Sequence, residues 1–171
     1  DLVHWTYVGG AYEDDKKPSW EPEAGIWAPD INYINGKYVM YYSLSKWGGG
    51  ATCGIGVSVS DKPEGPFTDQ GKLFRSNEID VHNSIDPFYI EDNGKKYLFW
   101  GSWYGIWGIE LTEDGLGLKG GIENAKATKI QVAANTGGTN AYEGSYILKR
   151  GKYYYLFCST GTCCDGANST Y

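Results

Sequence analysis

The chain has 171 residues and a formal net charge of −6 at neutral pH. An acidic chain without a basic patch is a poor partner for nucleic acid or an anionic membrane, and no apolar run is long enough to span a bilayer. Seven Trp, 15 Tyr and 25 Gly against one Met indicate aromatic strands separated by glycine turns, so the sequence predicts an all-β protein.

The first predicted element is the stretch 1–10, in which apolar and polar residues alternate. Alternation with a period of two is typical of a half-buried strand. No partner strand precedes it, so we expect it to be the last strand of a unit that begins earlier. Residues 12–25 are charged, contain proline and predict a connection.

A complete β-unit follows this connection. Two aromatic or β-branched runs, 26–34 and 37–44, flank the dipeptide Asn35-Gly36. This arrangement is a strong hairpin signal, because both residues of such a turn favour positive φ. A glycine-rich loop then leads to further strands, which are predicted at 53–60 and 71–75.

The second unit opens with Asp86-Pro87 at the entrance of a strand and turns at Asn93-Gly94. Its four strands are predicted at 88–90, 97–100, 105–111 and 116–121. Residues 122–138 are polar and are expected to be irregular. The third unit opens at Glu143 and is predicted as a hairpin over 143–159, followed by another strand at the end of the chain.

The three units share a period. Their turn glycines recur at intervals of about 57 residues, and so do the acids at the heads of the hairpins, Asp30, Asp86 and Glu143. Four-stranded units with such a period indicate propeller blades, whereas the alternative, a β-sandwich, gives no reason for an acid at one phase of each repeat. Since the innermost strands of a propeller line its central channel, we expect the three carboxylates to share one funnel.

Clustered carboxylates suit glycoside hydrolysis. Repulsion between them keeps a proton on the cluster, and a glycosidase needs one acid to protonate the leaving oxygen and one carboxylate to activate water or attack the sugar. The alternative for each acid is a turn cap that hydrogen-bonds nearby amides. For Asp86 and Glu143 the two interpretations stay open, and for Asp30 the cap is favoured.

Aromatic faces for sugar rings are expected from Trp27, Tyr42, Trp100, Trp103, Tyr104 and Tyr142, while Trp5, Trp20, Trp47 and Trp107 are assigned to packing or surface cover.

Five motifs, in order along the chain, resemble glycoside hydrolase family 43. They are WAPDI at 27–31, NSIDP at 83–87, LFWGSW at 98–103, YEGSYILKRGKYYYLF at 142–157 and CCDGANSTY at 163–171. The resemblance covers nearly the whole chain and is strongest to the arabinan endo-1,5-α-L-arabinanases. It implies a five-bladed β-propeller that hydrolyses α-1,5-linked L-arabinan with inversion, during plant polysaccharide degradation, in a secreted or periplasmic enzyme.

The resemblance assigns roles to individual residues. It implies that Glu143 is the general acid and that Asp86 tunes the pKa of the general acid and orients it. The general base is an Asp in a segment of the first blade that this chain lacks, so no residue here is given that role and the chain alone is expected to be inactive. The remaining implied substrate contacts are Trp27, Asp30, Asn83, Ser84, Ser102 and Trp103.

The resemblance also bears on extent and cofactors. It implies that residues 1–171 cover the end of blade 1, blades 2 and 3 and the first part of blade 4, and that the missing blades of the same protein are needed. No cofactor is required for the chemistry. A calcium ion on the propeller axis would take its ligands from outside this chain, because neither His4 nor His82 matches the family's axial His, so no metal ligand is assigned.

Two neighbouring functions remain open from the sequence. An exo-acting α-L-arabinofuranosidase or a β-xylosidase of the same family would use the same acids, and a noncatalytic carbohydrate-binding propeller would keep the aromatic residues. The four cysteines, Cys53, Cys158, Cys163 and Cys164, fit neither a disulfide framework nor the spacing of a zinc site and are expected to be buried free thiols. The alternative for the adjacent pair Cys163-Cys164 is a strained vicinal disulfide.

Overall fold

The structure is a computed structural model of the chain, and it describes residues 2–48, 50–134, 141–161 and 166–169. The first sheet is an antiparallel meander of four strands. Its strands are β1 (Gly25–Ile34), β2 (Lys37–Ser45), β3 (Gly54–Ser60) and β4 (Thr68–Arg75). Ile34 pairs with Lys37, so Asn35-Gly36 forms a two-residue turn, and both residues have positive φ as predicted.

The second sheet is another four-stranded antiparallel meander. Its strands are β5 (Phe88–Asp92), β6 (Lys95–Trp100), β7 (Ile106–Glu110) and β8 (Ile130–Ala133). The short helix α1 (Ser76–Ile79) leads into this sheet, and helix α2 (Gly121–Thr128) lies between β7 and β8. A separate hairpin follows, formed by β9 (Glu143–Arg150) and β10 (Tyr153–Ser159).

One hydrophobic core joins the two four-stranded sheets. Tyr41 of β2 stacks on Tyr89 of β5 with ring centroids 5.7 Å apart, and its hydroxyl donates to the Gly115 carbonyl. Phe74 of β4 packs against the buried ring of Trp100 at 5.0 Å. These large side chains fix how the second sheet sits on the first, and therefore where residues at the two inner strands meet.

The hairpin β9–β10 is fastened to the second sheet at Asp92. The hydroxyl of Tyr154 donates to Asp92 Oδ2 at 2.6 Å, and Lys149 forms an ion pair with the same carboxylate. Phe88 also packs on Tyr146 with centroids 4.9 Å apart. These contacts set the position of β9, which begins at Glu143.

Three predicted elements differ from the structure. Residues 2–10 form no strand and leave their large apolar side chains exposed, because no neighbouring strand pairs with them. The fourth strand of the second sheet is β8, not 116–121; Leu118 makes only an isolated bridge to Leu111. The segment expected to be irregular contains α2 instead, in which Glu, Lys and two Ala favour helix and Ala125 is buried.

The strand-rich, antiparallel character predicted from composition is confirmed. The strand expected at the end of the chain falls mainly on residues outside the described part, which there includes only a single 3-10 turn at Gly166–Asn168. Within the described ranges, no helix is long and apolar enough to cross a membrane.

Candidate active site

Asp86 lies in the loop just before β5 and has a left-handed backbone, with φ of 60°. Its backbone N–H donates to Ser43 Oγ of β2 at 3.1 Å. Its carboxylate accepts a hydrogen bond from the backbone N–H of Gly144, which follows Glu143. The loop thus directs the Asp86 carboxyl group toward the start of β9.

Glu143 is the first residue of β9 and forms an isolated antiparallel bridge with Ser102. The hydroxyl of Ser102 donates to Glu143 Oε2 at 2.9 Å, and the N–H of Trp103 donates to the carbonyl of Tyr142 at 3.1 Å. Side chain and backbone of the Glu143 region are therefore both held by the segment that follows β6. A carboxyl group held this way has a defined direction, which a proton donor needs.

The two carboxyl groups are electrostatically coupled. Burial, followed by the negative charge of Glu143, raises the pKa of Asp86 from 3.8 to about 6, and the Gly144 N–H only partly offsets this. Burial also raises the pKa of Asp30. Asp86 therefore retains its proton to a higher pH than an isolated carboxyl group would.

Asp30, Asp86 and Glu143 line one cavity of about 400 Å³, here called the acidic cavity. The convergence of the three repeat-heading acids, expected from their period, is therefore present. One oxygen of Asp30 accepts hydrogen bonds from the Tyr89 N–H at 2.7 Å and from the Asn32 amide at 2.9 Å. Asp30 thus serves as a link between β1 and β5 as well as a wall of the cavity.

A second cavity of about 320 Å³ adjoins the first and is here called the aromatic cleft. Glu143 lines both cavities. The cleft is lined by Trp27 and Trp47, whose ring centroids are 6.4 Å apart. It is also lined by Trp103 and Tyr104, which are 42% and 49% exposed. Exposed aromatic faces in a groove are a suitable surface for sugar rings.

Most of the predicted contacts lie at these cavities. The aromatic cleft is lined by Trp27, Asn83, Ser102 and Trp103, and the acidic cavity by Asp30, Asp86 and Glu143. Ser84 is an exception, because its side chain is fully buried, its hydroxyl donates to the Val81 carbonyl and it accepts from Trp100 Nε1. The prediction that Ser84 contacts substrate is therefore wrong for its side chain.

Two aromatic assignments are also corrected. Tyr42 and Trp100 have no exposed surface and belong to the packing of the sheets, so neither offers a face to a ligand. Trp47, assigned to packing or surface cover, is 76% exposed and also lines the aromatic cleft. Burial on β2 and β6 decides the two corrections.

The sequence analysis missed several residues of the cleft wall. Lys46 and Gly50 belong to the β2–β3 loop, and His82, which the sequence analysis considers only for the axial ion site, also lines the cleft. The His82 ring meets Tyr104 edge-on at 4.5 Å and lies where a Cβ at Gly50 would be, so a side chain at position 50 would have to displace this ring. The run Gly48-Gly49-Gly50 was the available signal, because it marks a backbone that approaches another segment closely.

The remaining chemical features of the site are the state of the cysteines and the capacity to hold a metal ion. Cys53 and Cys158 are free thiols, and the predictions for Cys163 and Cys164 fall outside the described residues. In the described part of the chain, no group of three or more His, Cys, Asp and Glu is arranged to hold a metal ion.

Comparison with known proteins identifies the family. The family model described as "Glycosyl hydrolases family 43" matches residues 1–171. The arabinan endo-1,5-alpha-L-arabinosidase A of Aspergillus niger is 34% identical over 163 residues, which are 94% of this chain and 48% of that protein. The chain thus spans about half the length of the curated relatives it matches.

Solved structures agree with this match. The endo-arabinanase of Bacillus licheniformis superimposes with a TM-score of 0.69 and 34% identity, covering 85% of this chain and 49% of that one. An exo-1,5-alpha-L-arabinanase from a bovine ruminal metagenomic library gives a TM-score of 0.67 and 37% identity over 84% and 49% of the two chains. With a family model that matches its whole length, the chain belongs to glycosyl hydrolase family 43.

Proposed function

We propose that this chain is part of a hydrolase that cleaves α-1,5-linked L-arabinan by single displacement. The observation that carries the proposal is the position of Glu143, which is coupled to Asp86 in the acidic cavity and also lines the aromatic cleft. A general acid must touch the oxygen between two sugars, so it belongs where two sugar-sized spaces meet. The arabinan-cleaving relatives support the choice of substrate.

The charge of the transition state decides which part of the substrate lies in the acidic cavity and which in the aromatic cleft. The reacting sugar becomes oxocarbenium-like and positively charged, so the acidic cavity with Asp30 and Asp86 is its place. The leaving part of the polysaccharide then lies in the aromatic cleft. Glu143 donates a proton to the departing oxygen. Asp86 orients Glu143 and tunes the pKa of this general acid.

The general base is supplied by residues outside this chain. In an inverting enzyme, roughly 6.5 to 9.5 Å separate acid and base, leaving room for the attacking water. We propose that this base lies on the first blade of a five-bladed propeller, of which residues 1–171 form the end of blade 1, blades 2 and 3 and the start of blade 4. The coverage of about half of each relative supports this arrangement.

The remaining proposals concern setting and cofactors. A polysaccharide-degrading enzyme of this kind is proposed to be secreted or periplasmic, and to need no cofactor for the chemical step. Any calcium ion on the propeller axis is proposed to take its ligands from the other blades.

Product analysis tests the function. The full-length protein that contains this chain is incubated with linear arabinan and, separately, with xylan, and product lengths are followed over time. Early release of mixed arabino-oligosaccharides is expected. Release of arabinose alone, or activity confined to xylan, would move the enzyme to an exo-arabinofuranosidase or a β-xylosidase, and binding without any product would support a noncatalytic propeller.

The role of Glu143 has its own test. Glu143→Ala is expected to lower kcat on linear arabinan at least about 100-fold, because general acid catalysis contributes on that order. Substrates with good leaving groups, such as aryl arabinofuranosides, need less protonation and should lose much less. A variant that retains activity within a few-fold of the parent on both substrates would refute the assignment.

A further inference from the structure

The backbone of Asp86 is unusual for its sequence position. A φ of 60° is uncommon for a residue with a side chain, although Asp tolerates it better than most. Pro87 follows, and the residue before a proline is restricted toward extended backbone. Such a conformation persists only where the surrounding structure holds it.

One anchor is Ser43 on β2. Ser43 is fully buried, lines neither cavity, and pairs with Trp27 on one side and Ile55 on the other. Its hydroxyl accepts the Asp86 N–H at 3.1 Å. The contact therefore ties the backbone of Asp86 to the interior of the first sheet.

The second anchor is Asp30 on β1. Its Oδ2 accepts the Tyr89 N–H at 2.7 Å, three residues after Asp86, and the Asn32 amide holds the same oxygen at 2.9 Å. The β1–β2 register shifts between Trp27 and Asp30, which re-aims Asp30 toward the second sheet. The first sheet thus holds the 86–89 segment at two points.

We propose that Ser43 and Asp30 are positioning residues that fix Asp86 against Glu143. The proposal rests on the role assigned to Asp86 under the proposed function. Ser43 lies outside both cavities, whereas Asp30 also lines the acidic cavity and exerts its positioning effect through the Tyr89 N–H. Ser43 sets the backbone of Asp86, and Asp30 sets the start of β5, so the carboxyl group of Asp86 is directed into the acidic cavity.

Loss of either anchor should affect kcat more than KM, because the aromatic cleft remains intact. A displacement of about 1 Å at a catalytic group costs up to roughly 100-fold in rate. We therefore expect Ser43→Ala and Asp30→Ala to lower kcat about 10- to 100-fold on linear arabinan, with KM within about threefold of the parent.

Two variants separate positioning from other roles. Asp30→Asn keeps an oxygen that accepts the Tyr89 N–H but removes the charge, so its kcat should lie well above that of Asp30→Ala, and its remaining deficit from the parent measures the contribution of the charge. Ser58→Ala is the matched control: Ser58 is also fully buried, and its hydroxyl bonds to Tyr12 at 2.8 Å, away from both cavities. It should lower stability without changing kcat.

A second readout does not depend on activity. The titration of the Asp86 carboxyl carbon is followed by NMR in the full-length parent, Ser43→Ala and Ser58→Ala. In the acidic cavity, the charged groups facing Asp86 among the described residues are Glu143 on β9 and Asp30 on β1. Release of the anchor should let Asp86 move toward water, so its pKa should fall in Ser43→Ala and stay unchanged in Ser58→Ala.

The outcomes distinguish the two proposals. A parent that cleaves no arabinan overturns the proposed function, and the titration then decides the positioning role by itself. An active parent with unchanged kcat and unchanged Asp86 titration in Ser43→Ala overturns the positioning role alone. If Ser43→Ala does not fold, the Asp30 pair decides: equal losses in Asp30→Ala and Asp30→Asn would show that the charge matters and not the anchor.

Discussion

At the scale of single residues, the most consequential feature is a carboxyl group kept away from water beside a second one. The pKa of Asp86 rises from 3.8 to about 6, mainly through burial and then through Glu143. The folded protein therefore holds a proton in a pH range where the unfolded chain has lost it. In the proposed mechanism this arrangement serves catalysis while it opposes stability, a combination that active sites commonly show.

The sign of this effect gives the first prediction. A raised pKa adds stability below about pH 4, and that contribution is lost as the pH rises to about 6, since the unfolded chain then binds fewer protons. In Asp86→Asn the side chain is neutral throughout. Its free energy of unfolding, relative to the parent, should increase by up to about 3 kcal/mol between pH 4 and pH 8.

Urea unfolding of both full-length proteins at several pH values measures this difference. Asp61→Asn is the control, because Asp61 is an exposed carboxylate paired with Lys37 at the far end of the first sheet. Its difference from the parent should change little over the same range. If the difference in free energy of unfolding between Asp86→Asn and the parent did not change with pH, the proposed burial of the Asp86 charge would be contradicted.

Trp47 carries the second prediction at this scale. It is exposed, stands beside Trp27 and lies on the side of the cleft assigned to the leaving part of the substrate. Trp47→Ala should raise KM for arabino-oligosaccharides about three- to tenfold, because an aromatic contact contributes on the order of 1 kcal/mol, and kcat should change less than twofold.

Trp47→Phe retains a ring and should keep most of the affinity. Steady-state kinetics on oligosaccharides of increasing length measure the effect, which should be larger for longer substrates. An unchanged KM in Trp47→Ala at every length would remove Trp47 from the binding surface.

At the scale of elements, the hairpin β9–β10 depends on a small set of contacts for its position. Asp92 accepts from Tyr154 and pairs with Lys149, and the hydrogen bond from Lys149 holds the pKa of Asp92 below its usual range. The lowered pKa means that this fastening stabilises the fold above the ordinary pKa of Asp and is lost as the pH falls through the lowered value.

Asp92→Ala should therefore loosen the hairpin that carries Glu143. Amide hydrogen exchange of the full-length protein is expected to accelerate several-fold across β9 and β10, while β2 and β3 keep their protection. Asp61→Ala, which breaks an ion pair inside the first sheet, should leave β9 unaffected. Equal exchange rates in Asp92→Ala and the parent would show that other contacts hold the hairpin.

Elements also show what the sequence could predict. The hairpins followed from local chemistry, because Asn35-Gly36 and Asn93-Gly94 need positive φ and the runs beside them are aromatic or β-branched. Helix α2 was hidden in a polar stretch, where a single buried Ala is too weak a periodic signal. The strand predicted at 1–10 shows the reverse error, since alternation without a partner does not make a strand.

The residues of the site likewise divide into those that the sequence predicted and those that it missed or misassigned. The acids and several cleft residues were found because motif and period both marked them. Ser43 was missed, because its contact with Asp86 joins positions 43 residues apart and depends on how two sheets pack. Ser84 was wrongly chosen, since a motif does not reveal that Trp100 already occupies its hydroxyl.

At the scale of the whole molecule, the described structure leaves one face of the hairpin uncovered. The half-exposed side chains on this face of β9 and β10 are Tyr146, Leu148, Tyr153, Tyr155 and Phe157. A contiguous apolar patch of this kind marks an interaction surface, and a two-stranded sheet is marginally stable by itself. On the proposed five-bladed ring, further strands of the same protein cover this face.

This arrangement predicts the behaviour of residues 1–171 when they are expressed alone. The chain should associate as its concentration rises, bind a dye for exposed apolar surface and release no product from arabinan, because the hairpin is uncovered and the proposed general base lies outside residues 1–171. Light scattering after size exclusion measures the mass, with the full-length protein as control. Replacing Tyr153 and Tyr155 together by Ser should reduce association of the isolated chain. A stable monomer that binds no dye would mean that the exposed face needs no further strands, and the proposed position of this chain within the ring would have to be abandoned.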